Sequence, residues 1–399
     1  MSTRKLLVDV HTHVYLPRYA AYLRARAVAP RIFSRPVPGE PDVEEDRLLI
    51  LENEPSGGRP VGPQVYWDKS QKLAFMNRHG IDVSVVSSAN PWLDFLPASE
   101  ANSLAKELNE DLEEFCSSSP DLGSPTSGGG PSIKRLYGLG LLPLVSEASL
   151  SDVLKVITQI SSLPHLKGVI MGTQGLGRGL DDEELEPVWG EIERNGLVVF
   201  LHPHYGVPSS VYGGRANGHV LPLALGFPFE TTIAITRLIL AGVLDKFPSL
   251  KIMLAHSGGA LPALSSRLAS CIDHDPVVAS RLKHNARYYL GRLYFDAVAY
   301  GPEELGFVSS AIGRSSTYDD PSASASAIPS LESEGKLRVL GSSRMLFGTD
   351  HPFFPPLKAT DKWKSVTENL AAINAVAGWG DEEIEAVCGG NALRIFDLV

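Results

Sequence analysis

Short runs of aliphatic and β-branched residues recur along the 399-residue chain, and between them lie longer stretches whose apolar positions repeat at helical spacing. This alternation is the pattern of βα units feeding a parallel sheet, because each parallel connection needs a crossover long enough for a helix. Eight runs read as strands: Leu6 to Val10, Val83 to Ser87, Leu136 to Leu142, Gly168 to Met171, Val198 to Leu201, Ile252 to Ala255, Leu293 to Asp296 and Met345 to Gly348. Ala101 to Phe115, Ser149 to Ile160, Glu183 to Asn195, Thr231 to Phe247 and Leu261 to Ser270 read as crossover helices. Eight such strands predict a (β/α)8 TIM barrel, although an open doubly wound sheet has the same local pattern.

One barrel domain would span residues 1–399, with insertions at its surface. Residues 117–132 and 315–335, rich in Ser, Gly, Pro and Ala, have little apolar surface to bury and read as flexible insertions. The proline-rich, acidic stretch 35–63 is not expected to form a regular element and is placed across the barrel mouth.

Acidic residues outnumber basic ones by 46 to 36, for a formal charge of −10, which disfavours phosphate backbones and anionic membranes as partners. The three cysteines, Cys116, Cys271 and Cys388, are far apart and form no CxxC pair. With no signal-peptide-like apolar run at the start and no long uncharged apolar stretch, the expected address is the cytoplasm.

Chemistry enters at the C-terminal ends of the strands. His11 and His13 come after the first run in Val-Asp-Val-His-Thr-His, where a period of two places both rings on one face of an extended chain. His202 follows the fifth run, His256 the sixth and Asp350 the eighth. In a parallel barrel the C-terminal strand ends surround one mouth, and catalytic groups come from several of them. Imidazole nitrogens with a carboxylate suit Zn2+, with Mn2+ or Fe2+ as alternatives. His204 and His351, one or two residues from these positions, fit either direct ligation or support of a ligand, and His219 stays open. His79, His165, His274 and His284 are assigned surface or capping roles.

This distribution of histidines and one aspartate resembles the amidohydrolase superfamily. Binuclear members carry a lysine or glutamate on the fourth strand. Here that strand reads Gly-Val-Ile-Met-Gly-Thr from Gly168, so a single metal is implied. The sequence is thereby similar to the non-oxidative decarboxylases typified by aminocarboxymuconate semialdehyde decarboxylase and γ-resorcylate decarboxylase. Longer strings narrow the likeness: Ser-Ala-Asn-Pro-Trp from Ser88, Phe-Leu-His-Pro-His-Tyr-Gly from Phe200, Gly-His-Val-Leu-Pro-Leu-Ala-Leu-Gly-Phe-Pro from Gly218 and Gly-Thr-Asp-His-Pro-Phe-Phe-Pro-Pro from Gly348 resemble the fungal uracil-5-carboxylate (isoorotate) decarboxylases.

The resemblance implies that His11, His13, His202 and Asp350 hold the metal, with His256 a catalytic histidine beside it. Asn90 would hydrogen-bond a pyrimidine and Phe353 would stack on it. Arg59 and Arg267 would contact substrate, the latter from a neighbouring subunit, so that a homodimer is implied. Conversion of uracil-5-carboxylate to uracil and CO2, in thymine or thymidine salvage, is then the expected reaction. Loss of CO2 at a vinylic carbon calls for a proton at C5 as the bond breaks, supplied by Asp350 or His256. The alternatives are decarboxylation of a hydroxybenzoate or aminocarboxymuconate semialdehyde type substrate, or metal-dependent hydrolysis of an amide or lactone. A barrel that binds a metal without catalysis is a further alternative.

Overall fold

The computed structural model describes residues 5–398 apart from 38, 53, 55–56, 63–65, 123–131, 216, 320–330 and 357–360, and leaves aside the side chains of 331–333. The first strand, β1 (Val8–Val14), is followed by an antiparallel set, β2 (Arg31–Val37), β3 (Glu40–Leu49) and β4 (Arg59–Pro60). The parallel strands then continue as β5 (Val83–Ser88), β6 (Leu136–Leu141), β7 (Leu166–Met171), β8 (Val198–Leu201), β9 (Lys251–Leu254), β10 (Tyr294–Asp296) and β11 (Met345–Leu346).

Hydrogen bonding runs β1-β5-β6-β7-β8-β9-β10-β11, and the sheet curls until Val10 N donates to Phe347 O at 3.0 Å and Thr12 bridges His351. This is the (β/α)8 barrel. Its strands are covered on both faces, which is why they read as continuous apolar runs. The helices bury one stripe each. Ala98–Ser117 turns Ala101, Leu104, Ala105, Leu108, Leu112 and Phe115 inward at spacings of three and four, and Leu150–Ser162 starts on a Ser149 side-chain cap.

Several boundaries depart from the expectation. β1 extends to Val14, so His11 and His13 lie within the strand instead of after it. The helix expected over 231–247 starts at Phe227 and breaks after Leu240, where Gly242 takes φ 71° before a short turn, Val243–Lys246. Together with the π-turn before it, Pro222–Leu240 is long and apolar enough to cross a membrane; here it lies on the barrel and is 44% buried.

Much of the stretch 35–63 forms strands, contrary to expectation; 38, 53, 55–56 and 63 lie outside the described residues. β2 and β3 pair from Arg31↔Leu49 to Val37↔Glu40, with a register shift at Pro36/Val37, and Pro60 falls on the two-residue β4 at the edge. Proline is tolerated at such positions because no ladder donor is required there. In 315–335, Ser315 and Tyr318 are buried in a helical turn and the helix Leu331–Ser342 begins; 320–330 lie outside the described residues. In 117–132, the helix runs through Ser117, Leu122 N donates to Ile133 O at 2.8 Å, and 123–131 lie outside the described residues.

Candidate metal centre and active site

β1 brings His11 and His13 to the mouth on one face, and further groups gather around them. His11 lies 5.2 Å from His202 and 5.1 Å from His256, and His13 lies 4.9 Å from His202, centroid to centroid. Asp350 enters from beyond β11: its Oδ1 is 3.2 Å from His11 Nε2 and 3.5 Å from His13 Nε2, and its Oδ2 is 3.7 Å from His256 Nε2. Gly348 permits the approach, since a Cβ there would lie 2.8 Å from the Cβ of His11.

The outward nitrogens are committed. His11 Nδ1 pairs with Asp296 Oδ2 at 2.6 Å, His13 Nδ1 with Ser87 Oγ at 3.1 Å, and His202 Nδ1 donates to Pro203 O at 2.8 Å. Each ring therefore turns Nε2 inward, and all three Nε2 atoms are buried without a hydrogen-bond partner. Buried polar atoms without partners are uncommon and call for an explanation. Three imidazoles and a carboxylate aimed at one point fit a divalent cation, which would take the place of any proton held there. Among the described residues, ligand atoms of His11, His202, His256 and Asp350 all lie within 4.8 Å of one another, so His256 and His13 compete for the fourth position. His13 Nε2 and His256 Nδ1 are both buried without a partner, but His256 has 19% of its side chain exposed against none for His13, which puts His256 on the solvent side.

The electrostatics agree. Burial disfavours charge on every ring, and it pushes His13 down to about 4 and His202 well below the usual imidazole range. Burial also opposes a proton on His11, but Asp350 and Asp296 outweigh it and push that ring up to about 10. Asp350 is likewise opposed by burial, yet His11 holds its carboxyl well below the ordinary range. The chain without metal thus keeps one proton where a cation would otherwise neutralise Asp350. The backbone is strained at the same place: His256, Ser257 and Asp350 have φ of 54°, 53° and 53°.

A second wall faces the rings. β4 carries Arg59 to the mouth, where its guanidinium lies 4.5 Å over Phe353 and its Nη2 donates to Tyr15 Oη at 2.6 Å and to Asn90 O at 2.8 Å. Phe353 sets its edge against His13, with ring centroids 5.5 Å apart, and Asn90 Nδ2 donates to His204 O at 2.6 Å. Arg59, Asn90 and Phe353 are therefore gathered at one mouth with the histidines. Arg267 is not; it is exposed on the helix Leu261–Asp273.

The remaining histidines resolve into supports. His351 turns its Nδ1 to Lys72 at 3.2 Å and stacks on Phe75, and His204 pairs with Asp94 at 3.1 Å. His219 is exposed. His165 pairs with Glu113 at 2.6 Å, while His79 is buried against Phe75 instead of lying on the surface.

Of the buried carboxylates absent from the set that the sequence singles out, two fix the loops around this mouth. Asp296 ends β10 and, besides His11, accepts the backbone N–H groups of His256, Ser257 and Val298. Glu230 accepts those of His204 at 2.9 Å and Gly206 at 2.6 Å, fixing the loop after β8. Asp296 had a visible signal, a carboxylate at a C-terminal strand end; Glu230, inside an apolar helix, had only its being out of place there.

Residues 161–398 match the family model described as Amidohydrolase. The chain is 27% identical over 335 residues, 83% of this chain and 77% of the relative, to 2-amino-3-carboxymuconate-6-semialdehyde decarboxylase of Dictyostelium discoideum. The crystal structure of Metarhizium anisopliae IDCase in apo form superposes with a TM-score of 0.80 at 39% identity, covering 100% of this chain and 99% of that one. A dihydroxybenzoic acid decarboxylase from Polaromonas sp. JS666, with manganese bound, shares the fold at 17% identity and a TM-score of 0.63, covering 99% of this chain and 98% of that one. The barrel, its mouth of histidines and the match over more than half its length make this chain a member of the amidohydrolase family.

Proposed function

We propose that this carboxy-lyase converts uracil-5-carboxylate to uracil and CO2, using one divalent cation held by His11, His13, His202 and Asp350. The observation that carries the reading is three orphaned Nε2 atoms converging on a carboxylate opposite the Arg59–Phe353–Asn90 wall. The likeness to the Metarhizium IDCase, an isoorotate decarboxylase, at 39% identity supports the substrate. Three imidazoles and a carboxylate suit Zn2+, and the manganese in the Polaromonas structure supports Mn2+ equally. When bound, the cation supplies charge neutralisation for the substrate carboxylate and fixes its orientation.

The chain's own groups do the rest. Arg59 covers one face of Phe353, so the pyrimidine stacks on the other. Arg59 Nε is buried without a partner and is free to donate to a substrate oxygen. Asn90 has spent one N–H on His204, and its Oδ1, which accepts a 3.4 Å bond from Arg59 Nη2, has a second lone pair for a ring N–H. Asp350, the acid facing the reacting carbon, delivers a proton to C5 as the carboxyl carbon leaves with its two oxygens, and the bonding pair returns to the ring. A substrate carboxylate beside Asp350 disfavours its charge, in the direction that an acid in this position requires. His256, reaching solvent and 3.7 Å from Oδ2, restores the proton.

A second copy completes the site. Leu225, Phe229 and Ile233, spaced by four on one helical face, are 47%, 42% and 54% exposed, and Leu264 joins them on the helix that carries Arg267. The two helices are in contact, since Ala260 N donates to Thr232 at 2.9 Å. An apolar face beside an exposed arginine suits a homodimer in which Arg267 reaches the partner's mouth. The three free cysteines accord with a cytoplasmic enzyme.

The test is incubation of the Zn2+- or Mn2+-loaded protein with uracil-5-carboxylate, following uracil and CO2. Equimolar products that vanish in His202→Ala are expected. No uracil from a protein of confirmed metal content, with CO2 released from 2,6-dihydroxybenzoate instead, overturns the substrate.

A further inference from the structure

Beneath the metal centre lies a lysine with no place in the reaction. Lys72, on the helix Lys69–His79, is 3% exposed, although buried lysines are rare unless something holds them. Its ammonium donates to the Thr12 hydroxyl and lies 3.2 Å from His351 Nδ1. Thr12 stands between His11 and His13, and His351 follows Asp350, so the lysine touches the neighbours of three of the four proposed ligands. Thr12 Oγ1 donates onward to His351 O at 3.2 Å, and His13 N donates to the same carbonyl at 2.7 Å. On the other side of Asp350, Thr349 gives its N–H and its hydroxyl to Asp9 at 3.1 Å and 2.8 Å, and Asp9 also accepts His11 N at 3.2 Å. Asp9 and Lys72 are the opposite charges of this layer.

Asp350 needs such a brace. Its φ of 53° is a conformation that a non-glycine residue keeps only when its surroundings impose it. Its own N–H goes to His11 O at 2.7 Å, which fixes one end of the turn; the His351 end is fixed through Thr12 and Lys72.

We propose that Lys72 is a positioning residue for the metal centre. By pinning the His351 end of the Asp350 turn to β1 it sets the separation between the Asp350 carboxylate and the inward nitrogens of His11 and His13. This inference rests on the metal-site reading but not on the identity of the substrate.

The test measures Mn2+ affinity by electron paramagnetic resonance of the free ion, on full-length protein stripped by chelator. Lys72→Met keeps most of the stem and loses the ammonium. The expected result is a dissociation constant raised tenfold or more. Met76→Ala, a fully buried residue of the same helix, is the control: it lowers Tm and is expected to leave the constant within twofold. Thr12→Val, which leaves every charge in place, is expected to weaken binding threefold or more and serves if Lys72→Met does not fold. Unchanged affinity in Lys72→Met, or in Thr12→Val where that variant stands in, overturns the proposal alone, as does a matching loss in Met76→Ala. Wild-type protein that takes up no Mn2+ overturns the metal-site reading and the proposal with it.

Discussion

Replacing Asp296 by asparagine removes one charge and one acceptor oxygen from a fully buried group. In the native chain the carboxylate serves four N–H groups: His11 Nδ1 at 2.6 Å, His256 N at 2.9 Å, Ser257 N at 2.8 Å and Val298 N at 3.1 Å. Its two oxygens divide them, Oδ2 taking the first pair and Oδ1 the second. An asparagine keeps one oxygen, so one pair of donors must face an NH2 group. A buried donor left unsatisfied costs about 1–3 kcal/mol. If the amide turns its oxygen to His11, the His256 loop stays in place but Ser257 and Val298 lose their partner; the reverse frees the His11 ring to rotate. Loss of such an outer partner typically lowers metal affinity about 10–100-fold, which corresponds to about 1.4–2.8 kcal/mol. The expected outcome for Asp296→Asn is therefore a Zn2+ or Mn2+ dissociation constant raised at least tenfold in competition against a chromophoric chelator, with turnover largely recovered at saturating metal. A constant within twofold of the wild type would refute the claim that Asp296 orients His11.

The same geometry sets two further outcomes. His11 has its folded pKa pushed up to about 10, so the metal-free chain holds a proton there between its ordinary value near 6.5 and 10, and the stability this contributes is full below 6.5 and lost as pH rises through 10. Metal binding at pH 8 is expected to release about one proton, read by calorimetry as an enthalpy that varies with buffer ionisation heat; a buffer-independent enthalpy counts against it. Ile233→Glu, at a position 54% exposed, is expected to leave Tm nearly unchanged, halve the mass in sedimentation and lower kcat/KM tenfold or more if Arg267 acts across the interface; an unaltered mass rules this face out.

The barrel was legible because strands buried on both faces leave continuous apolar runs, and the groups gathered at its mouth because each ends or follows such a run. The antiparallel β2–β4 set was not, since its strand period is masked by prolines and by acidic residues on an exposed strand such as Glu44 and Glu45. Lys72 and Glu230 were invisible for a different reason. Their sequences look like ordinary helix positions, and only the three-dimensional arrangement shows that each polar end reaches groups far away in the chain, Lys72 to His351 and Glu230 to Thr173. Arg59 was found through resemblance; nothing in its local sequence shows that a two-residue edge strand carries it over Phe353.

The seam where Thr12 meets His351 joins segments 339 residues apart. During synthesis at about 5–20 residues per second, the first two histidines leave the ribosome roughly 20–70 s before the aspartate that faces them. Over that interval the emerging chain gains His202 and His256 as well, but not the carboxylate that faces them. The complete set of proposed ligands therefore comes together only when the last strand closes against the first.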